Sequence, residues 1–420
     1  VARIPGLVLT DHTFTVPLDH ERPDGPTIEV FAREAVAPTK VDDDLPWLVF
    51  LQGGPGGASP RPTSGSGWLE RATREFRVLL LDQRGTGRST PVTRRTALSM
   101  GAEELAAYLK HFRADSIVAD AEFIRGQLSP GKPWTTLGQS YGGFITLTYL
   151  SKAPSGLKAC YVTGGLAGLD ATADDVYTRT YPRAKAKTLR YYRLFPEDVA
   201  KVRRIADHVT ANDVRLPNGD RLTVDRFQTL GFGLGMSESA ESLHWLIDEA
   251  WDGPELSDAF LYGAMARTDH TLSPLFVVLH ESLYGQDTRP TNWAAARVKP
   301  AEFAPTAEPF LFTGEMIYPW MVEDLAGLSP FAEAANLLAA VTDWTPLYDP
   351  AVLATNRVPV AAAIYHDDLY VDASLSLETA ARVANVATWV TNEYEHDGAR
   401  ASRGAVLDRL IKLANDLPPA

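Results

Sequence analysis

The sequence predicts an α/β fold: a mostly parallel central sheet covered by helices and interrupted by an inserted, mainly helical cap. Three observations carry this prediction. Short apolar runs of the buried parallel type, Trp47–Leu51, Val78–Leu81 and Thr135–Leu137, are followed by glycine-rich turns or helical periodicity. The strand rhythm stops near residue 170 and only helical patterns follow. It resumes after Pro359, with Val360–Tyr365 and Ala387–Glu393. The expected division is a first core segment over 1–169, a helical cap over 170–345 and a second core segment over 346–420.

Along the chain, the first 45 residues read as antiparallel strands, with β-rich runs at Leu7–Leu9, Phe14–Pro17 and Ile28–Ala32 broken by turn residues. Between the second and third buried runs, apolar residues at 105, 109, 112, 117, 118, 121 and 124 keep the helix period, giving a helical stretch around 102–127. A helix is expected over Phe144–Leu150 and another buried strand over Leu157–Val162. The cap shows helical patterns at Ala184–Leu194, Val199–Val209, Glu238–Trp251, Asp258–Arg267 and Pro274–Tyr284. In the last segment a helix over Leu375–Val386 separates the two strands, and an amphipathic helix over Arg403–Leu413 closes the chain.

Composition narrows the class. At 420 residues the chain is one enlarged domain or two ordinary ones. Its 45% hydrophobic and 22% charged content excludes disordered and fibrous classes. No run is long enough to span a membrane. The single cysteine, Cys160, forms no internal disulfide, and there is no Cys/His cluster for structural zinc, so no metal or cofactor is expected. With 53 acidic and 40 basic residues the formal net charge is −13, which argues against nucleic acid as a partner. The span 170–343 holds 26 acidic and 16 basic residues, hence −10 of that −13. The start, Val-Ala-Arg-Ile-Pro, shows no charged-then-apolar signal segment, and the absent initiator Met suggests a piece trimmed before Val1. A cytoplasmic, reducing setting is the expectation.

The chemistry centres on Gly138-Gln139-Ser140-Tyr141-Gly142-Gly143, placed after a strand and before a helix. It fits G-x-S-x-G, a nucleophile elbow. The serine of such an elbow occupies a sharply turned backbone, and glycines two residues either side avoid collisions between Cβ atoms. A second glycine-rich loop, Gln52-Gly53-Gly54-Pro55-Gly56-Gly57, follows the first buried strand. It lacks the Lys-Ser/Thr of a P-loop, and in a serine hydrolase this place supplies an oxyanion hole. The backbone N–H groups of Gly54 and Tyr141 are the expected donors. A nucleophilic serine needs a base and an orienting acid, in the chain order Ser, Asp/Glu, His. His396 lies just beyond the last strand, where the base belongs. His366 is also at a strand end, but beside the acid. Position leaves Asp367 and Asp368 both open as that acid.

With these pieces together, the chain resembles the proline iminopeptidases, and within them the longer bacterial branch of this α/β-hydrolase family. Gln52–Gly56 matches the family's His-Gly-Gly-Pro-Gly loop with Gln in place of His. Asp82-Gln83-Arg84-Gly85-Thr86-Gly87-Arg88-Ser89 matches its Asp-Gln-Arg-Gly-x-Gly-x-Ser segment. The elbow, Gly314–Trp320 and Asn392–Gly398 extend the likeness into all three segments. The resemblance implies the α/β-hydrolase fold and a serine exopeptidase that removes an unblocked N-terminal residue, preferentially proline, from small peptides without a cofactor. It selects Asp368, because the acid of that branch precedes a Met-Tyr or Leu-Tyr pair. It also implies that cap carboxylates hold the substrate ammonium. Glu281, from Glu281-Ser282-Leu283-Tyr284, and Glu315 are the candidates. Asp82 and Arg84 are expected to pair and brace the loop beside the oxyanion hole.

Overall fold

The computed structural model describes residues 1–286 and 289–419. Nine strands form the main sheet: β1 (Ala2–Ile4), β2 (Leu7–Pro17), β3 (Thr27–Val36), β4 (Trp47–Leu51), β5 (Arg77–Leu81), β6 (Trp134–Gln139), β7 (Leu157–Thr163), then, after a short cap hairpin of β8 (Trp251–Asp252) and β9 (Glu255–Leu256), β10 (Val360–Tyr365) and β11 (Val386–Thr391). Their order is β1-β2-β3-β5-β4-β6-β7-β10-β11. The first three strands and the β3–β5 pairing are antiparallel, and every pairing from β5 to β11 is parallel.

Alternation of side chains assigns the two faces. Val49, Leu51, Leu79, Leu81, Ala362 and Ile364 pack with the helices Ala114–Leu128 and Tyr141–Lys152. The intervening Leu48, Phe50, Val78, Leu80, Ala361 and Ala363 pack with the helices Gly67–Thr73 and Ala405–Asn415. With both faces covered, the strands have no solvent side, which is why they read as unbroken apolar runs.

From 164 to 359 the described residues add no strand to this sheet. Its helices enclose a separate hydrophobic cluster, which also recruits Leu105, Leu109 and Phe112 from before β6 and Leu369 and Tyr370 from after β10. The long cap helix Ala173–Leu194 starts at a Thr172–Asp175 capping box and continues through Pro182. The sequence pattern places its start only at Ala184, because an internal proline normally ends a helix. Arg183 reaches Asp372, and Lys187 and Arg190 both reach Glu395, so this helix is tied to the loops after β10 and β11.

Two expected helices are broken. The stretch around 102–127 divides into Ala102–Leu109 and Ala114–Leu128, separated by a 3-10 turn and an extended Arg113. The break turns Arg113 inward, where its guanidinium donates to the carbonyls of Gly285 and Thr345 and lies over the Trp344 ring. Likewise, the helix expected over Pro274–Tyr284 is a helix at Pro274–Val278 followed by a 3-10 turn at Glu281–Tyr284.

Candidate active site

Ser140 follows β6 and opens the helix Tyr141–Lys152, with φ 55° and ψ −123°. L-residues rarely adopt this backbone, and it persists only where the surroundings enforce it. Here the Ser140 N–H donates to the carbonyl of Thr163 on β7 at 3.0 Å. A Cβ on Gly138 would drive into the carbonyl of Gly142, and one on Gly142 into the carbonyl of Leu51 on β4. The glycine requirement therefore comes partly from the adjacent strand, beyond the elbow itself.

The loop after β4 lies directly against the serine. A Cβ on Gly53 would meet Ser140 Cβ at 2.7 Å and Gln139 Oε1 at 2.8 Å. Gly54 has φ +59°, and the Gly57 N–H donates to its carbonyl at 3.0 Å. The Tyr141 N–H, first in its helix, has no intrahelical acceptor. Gln83 Nε2 donates to the Gln52 carbonyl at 2.9 Å and so braces the loop.

Asp82 and Arg84, however, do not pair with each other. Asp82 takes Arg61 and the N–H groups of Ser59 and Arg88, whereas Arg84 makes a bidentate pair with Asp120. Gly87, at positive φ, leaves room for the Asp82 carboxylate, into whose Oδ2 a Cβ there would drive.

The adjacent aspartates after β10 face opposite surroundings. Asp367 bonds His366 at 2.9 Å, and both side chains are more than half exposed. Asp368 is 1% exposed; its Oδ2 lies 2.7 Å from His396 Nδ1, and its Oδ1 accepts the N–H groups of Tyr370 and Val371. His396 is 2% exposed, with the Tyr370 ring 4.7 Å away. Burial alone would push its imidazolium down, but the charge and hydrogen bond of Asp368, with Glu315 and Asp397 behind, hold it above the ordinary histidine value. A Cβ on Gly164 would meet His396 Nδ1 at 3.0 Å, and Gly165 packs on the Ser140 carbonyl. Consecutive residues at the end of β7 thus touch both the serine and the histidine. All these groups sit at the carboxyl ends of parallel strands, where open α/β sheets place their ligands.

Comparison with known proteins agrees with this fold. The alpha/beta hydrolase fold family matches residues 46–255. A proline iminopeptidase of Aeromonas sobria is 49% identical over 417 residues, covering 98% of each chain. The chain belongs to the proline iminopeptidase family. A second relative of that name, from Aspergillus aculeatus, is 34% identical over 96% of this chain and 93% of its own. The Neisseria gonorrhoeae proline iminopeptidase is also 34% identical, but over only 29% of this chain and 33% of its own.

The two expected amine-binding carboxylates of this proline iminopeptidase family member differ in their surroundings. Glu281 is 7% exposed, and its two oxygens accept the N–H groups of Ala294 and Ala295 at 2.9 and 3.0 Å. Burial outweighs these bonds and pushes its carboxyl up to about 7. Glu315 is also pushed up to about 7 by burial, with His396 pulling down and Asp368 pushing up. Among the described residues nothing donates a hydrogen bond to it. Tyr177 and Tyr284 feel the charge of both carboxylates, so the pair shares one neighbourhood.

Two features escape sequence reasoning because only the tertiary fold creates them. The cap segment of residues 232–237, the end of a 3-10 helix and the turn after it, clasps the histidine loop: the Gly235 carbonyl accepts the His396 N–H at 3.1 Å, and Ser237 donates N–H and Oγ–H to Asp397 Oδ1 at 3.1 and 2.8 Å. His280 faces Glu315 at 3.9 Å. The acidic cluster of Glu197, Asp198 and His244 has metal-like spacing, but Asp198 is already engaged by Tyr191, His244 and Lys201. Cys160 lies in the sheet with its thiol pushed up to about 12 by burial, as befits an inert side chain.

Proposed function

We propose that the protein is a serine exopeptidase that releases an unblocked N-terminal residue, preferentially proline, from small peptides through an acyl-enzyme. The observation that carries the reading is the buried His396–Asp368 pair beside the strained Ser140, in a chain 49% identical to a proline iminopeptidase. Ser140 Oγ attacks the carbonyl of the N-terminal residue while His396 Nε2 takes its proton. Asp368 fixes the tautomer through Nδ1 and stabilises the imidazolium. The N–H groups of Gly54 and Tyr141 receive the developing oxyanion, a contribution of about 3 kcal/mol per donor. His396 then protonates the leaving amine, and a water repeats the sequence to free the product.

Cap carboxylates give the exopeptidase its preference for a free terminus. A largely buried carboxylate binds an ammonium well and leaves it uncompensated if it is missing, so blocked peptides lose heavily. Glu315, with no protein donor among the described residues, supports this role more directly than Glu281, whose oxygens already hold two backbone amides. The division into core segments 1–169 and 346–420 around a cap of 170–345 belongs to the same reading, supported by the separate cap cluster. No helix among the described residues is long and apolar enough to cross a membrane.

The test is Ser140→Ala. It should reduce hydrolysis of a prolyl arylamide at least a thousandfold and abolish labelling by an active-site serine phosphonate. Near-wild-type turnover or persistent labelling at another residue would refute the assignment.

A further inference from the structure

His280 directly precedes Glu281 and is 2% exposed, yet neither of its ring nitrogens has a hydrogen-bond partner. Buried polar groups without partners are rare in folded proteins, and each one calls for a reason. The ring sits edge-on to Phe276, at 5.2 Å between centroids, and to Tyr284 at 6.3 Å. Phe276 in turn lies over Gly54 of the glycine loop. Burial, with His270 nearby, pushes His280 down to about 3, so the ring is neutral across the working range and carries one N–H donor.

The polar group it faces is Glu315, with Nε2 3.9 Å from Oε2. That distance is too long for a hydrogen bond. It is short enough for a small rotation of either side chain to close, and site hydrogen bonds commonly tighten only when substrate is present. Glu315 also feels the charges of His396 and Asp368, and its own charge reaches Tyr177, Tyr284 and Tyr370, whose hydroxyl is given to the Phe232 carbonyl. Of these, His396 and Asp368 already hold each other.

We propose that His280 is the positioning residue of Glu315: its neutral ring N–H closes onto the Glu315 carboxylate when a substrate ammonium draws that carboxylate into its ionised form. The carboxyl proton leaves to solvent, and the imidazole supplies a directional donor without adding a positive charge that would repel the substrate. A lysine or arginine in its place would bind the carboxylate and compete with the ammonium. The inference rests on the amine-anchor reading of Glu315.

The experiment compares pH profiles of kcat, which report the substrate-bound enzyme, for a prolyl arylamide and for a simple activated acyl ester that carries no ammonium. In His280→Phe, which keeps the ring packing and removes the donor, the acid limb for the arylamide should rise by about one pH unit. The ester limb, governed by His396, should stay where it is. His280→Gln, which keeps an N–H donor, should restore the wild-type arylamide limb. If His280→Phe does not fold, His280→Asn replaces it, since its amide is too short to reach Glu315, and the same shift is expected. An unmoved arylamide limb, or an ester limb that moves with it, overturns the proposal. Glu315→Gln separates the underlying reading. If it slows arylamide and ester equally, the anchor falls and this proposal with it. If it slows the arylamide alone while the His280 variants shift no limb, the anchor stands and the role of His280 falls.

Discussion

His396 Nδ1 lies 2.7 Å from Asp368 Oδ2, and both residues are almost sealed from solvent. The neighbouring Asp367 is spent on the exposed His366. One step along the chain therefore separates a surface carboxylate from one that orients a buried imidazole.

Asp368→Asn should preserve the fold, because an amide oxygen can still accept from Tyr370 and Val371. It should nonetheless lower kcat about 10³–10⁴-fold, since the tautomer of His396 is no longer enforced. Asp367→Asn should change kcat less than about threefold, as expected for an exposed pair. Steady-state kinetics on a prolyl arylamide compares the two directly.

The acid limb of turnover follows from the raised His396. The imidazole must be neutral to accept the serine proton, so the limb for an uncharged ester should lie above the ordinary histidine value of about 6.5. In Asp368→Asn it should fall, because burial, now unopposed by that carboxylate, lowers the value. A limb that stays fixed would show that another group governs it.

Glu315 gives a stability prediction with the opposite sign from an ordinary carboxylate. Its carboxyl, raised from 4.5 to about 7, holds its proton in the folded state when the unfolded chain has already lost it. Stability therefore declines as pH rises from about 4.5 to 7. Glu315→Gln should leave urea stability near wild type at pH 5 and raise it by on the order of 2 kcal/mol at pH 8. Equal effects at the two pH values would mean that the carboxyl is not held neutral by burial.

The clasp from the cap is testable at Ser237. Ser237→Ala removes the Oγ–H bond to Asp397 and leaves the backbone N–H bond in place. A loss of about 1 kcal/mol is expected, read as a roughly fivefold fall in kcat/KM with little change in the elbow. Phosphonate labelling of Ser140 at saturating reagent should remain complete.

Most of the sheet was legible because its strands are short, apolar and buried on both faces, and the elbow because its glycines are local requirements. What crosses the chain was not legible. Pro182 concealed the first turns of a helix that tertiary packing sustains. Arg113 broke an apparently continuous helix for partners more than 170 residues away. Asp82 and Arg84 looked like a pair by proximity, but each had a distant partner, Arg61 and Asp120. The Ser140 and His396 positions followed from chain order and strand ends, whereas position left Asp367 and Asp368 both open and only the family resemblance selected Asp368. The Gly235 and Ser237 clasp and the facing of His280 and Glu315 have no local signature at all.

The most direct test of the central claim is the rate of the wild-type protein on prolyl, alanyl and N-acetyl-prolyl arylamides under one set of conditions. The account predicts that the prolyl compound is cleaved fastest, the alanyl more slowly, and the N-acetyl compound at least a hundredfold more slowly than the free amine. Comparable cleavage of the N-acetyl-prolyl and prolyl arylamides would contradict it.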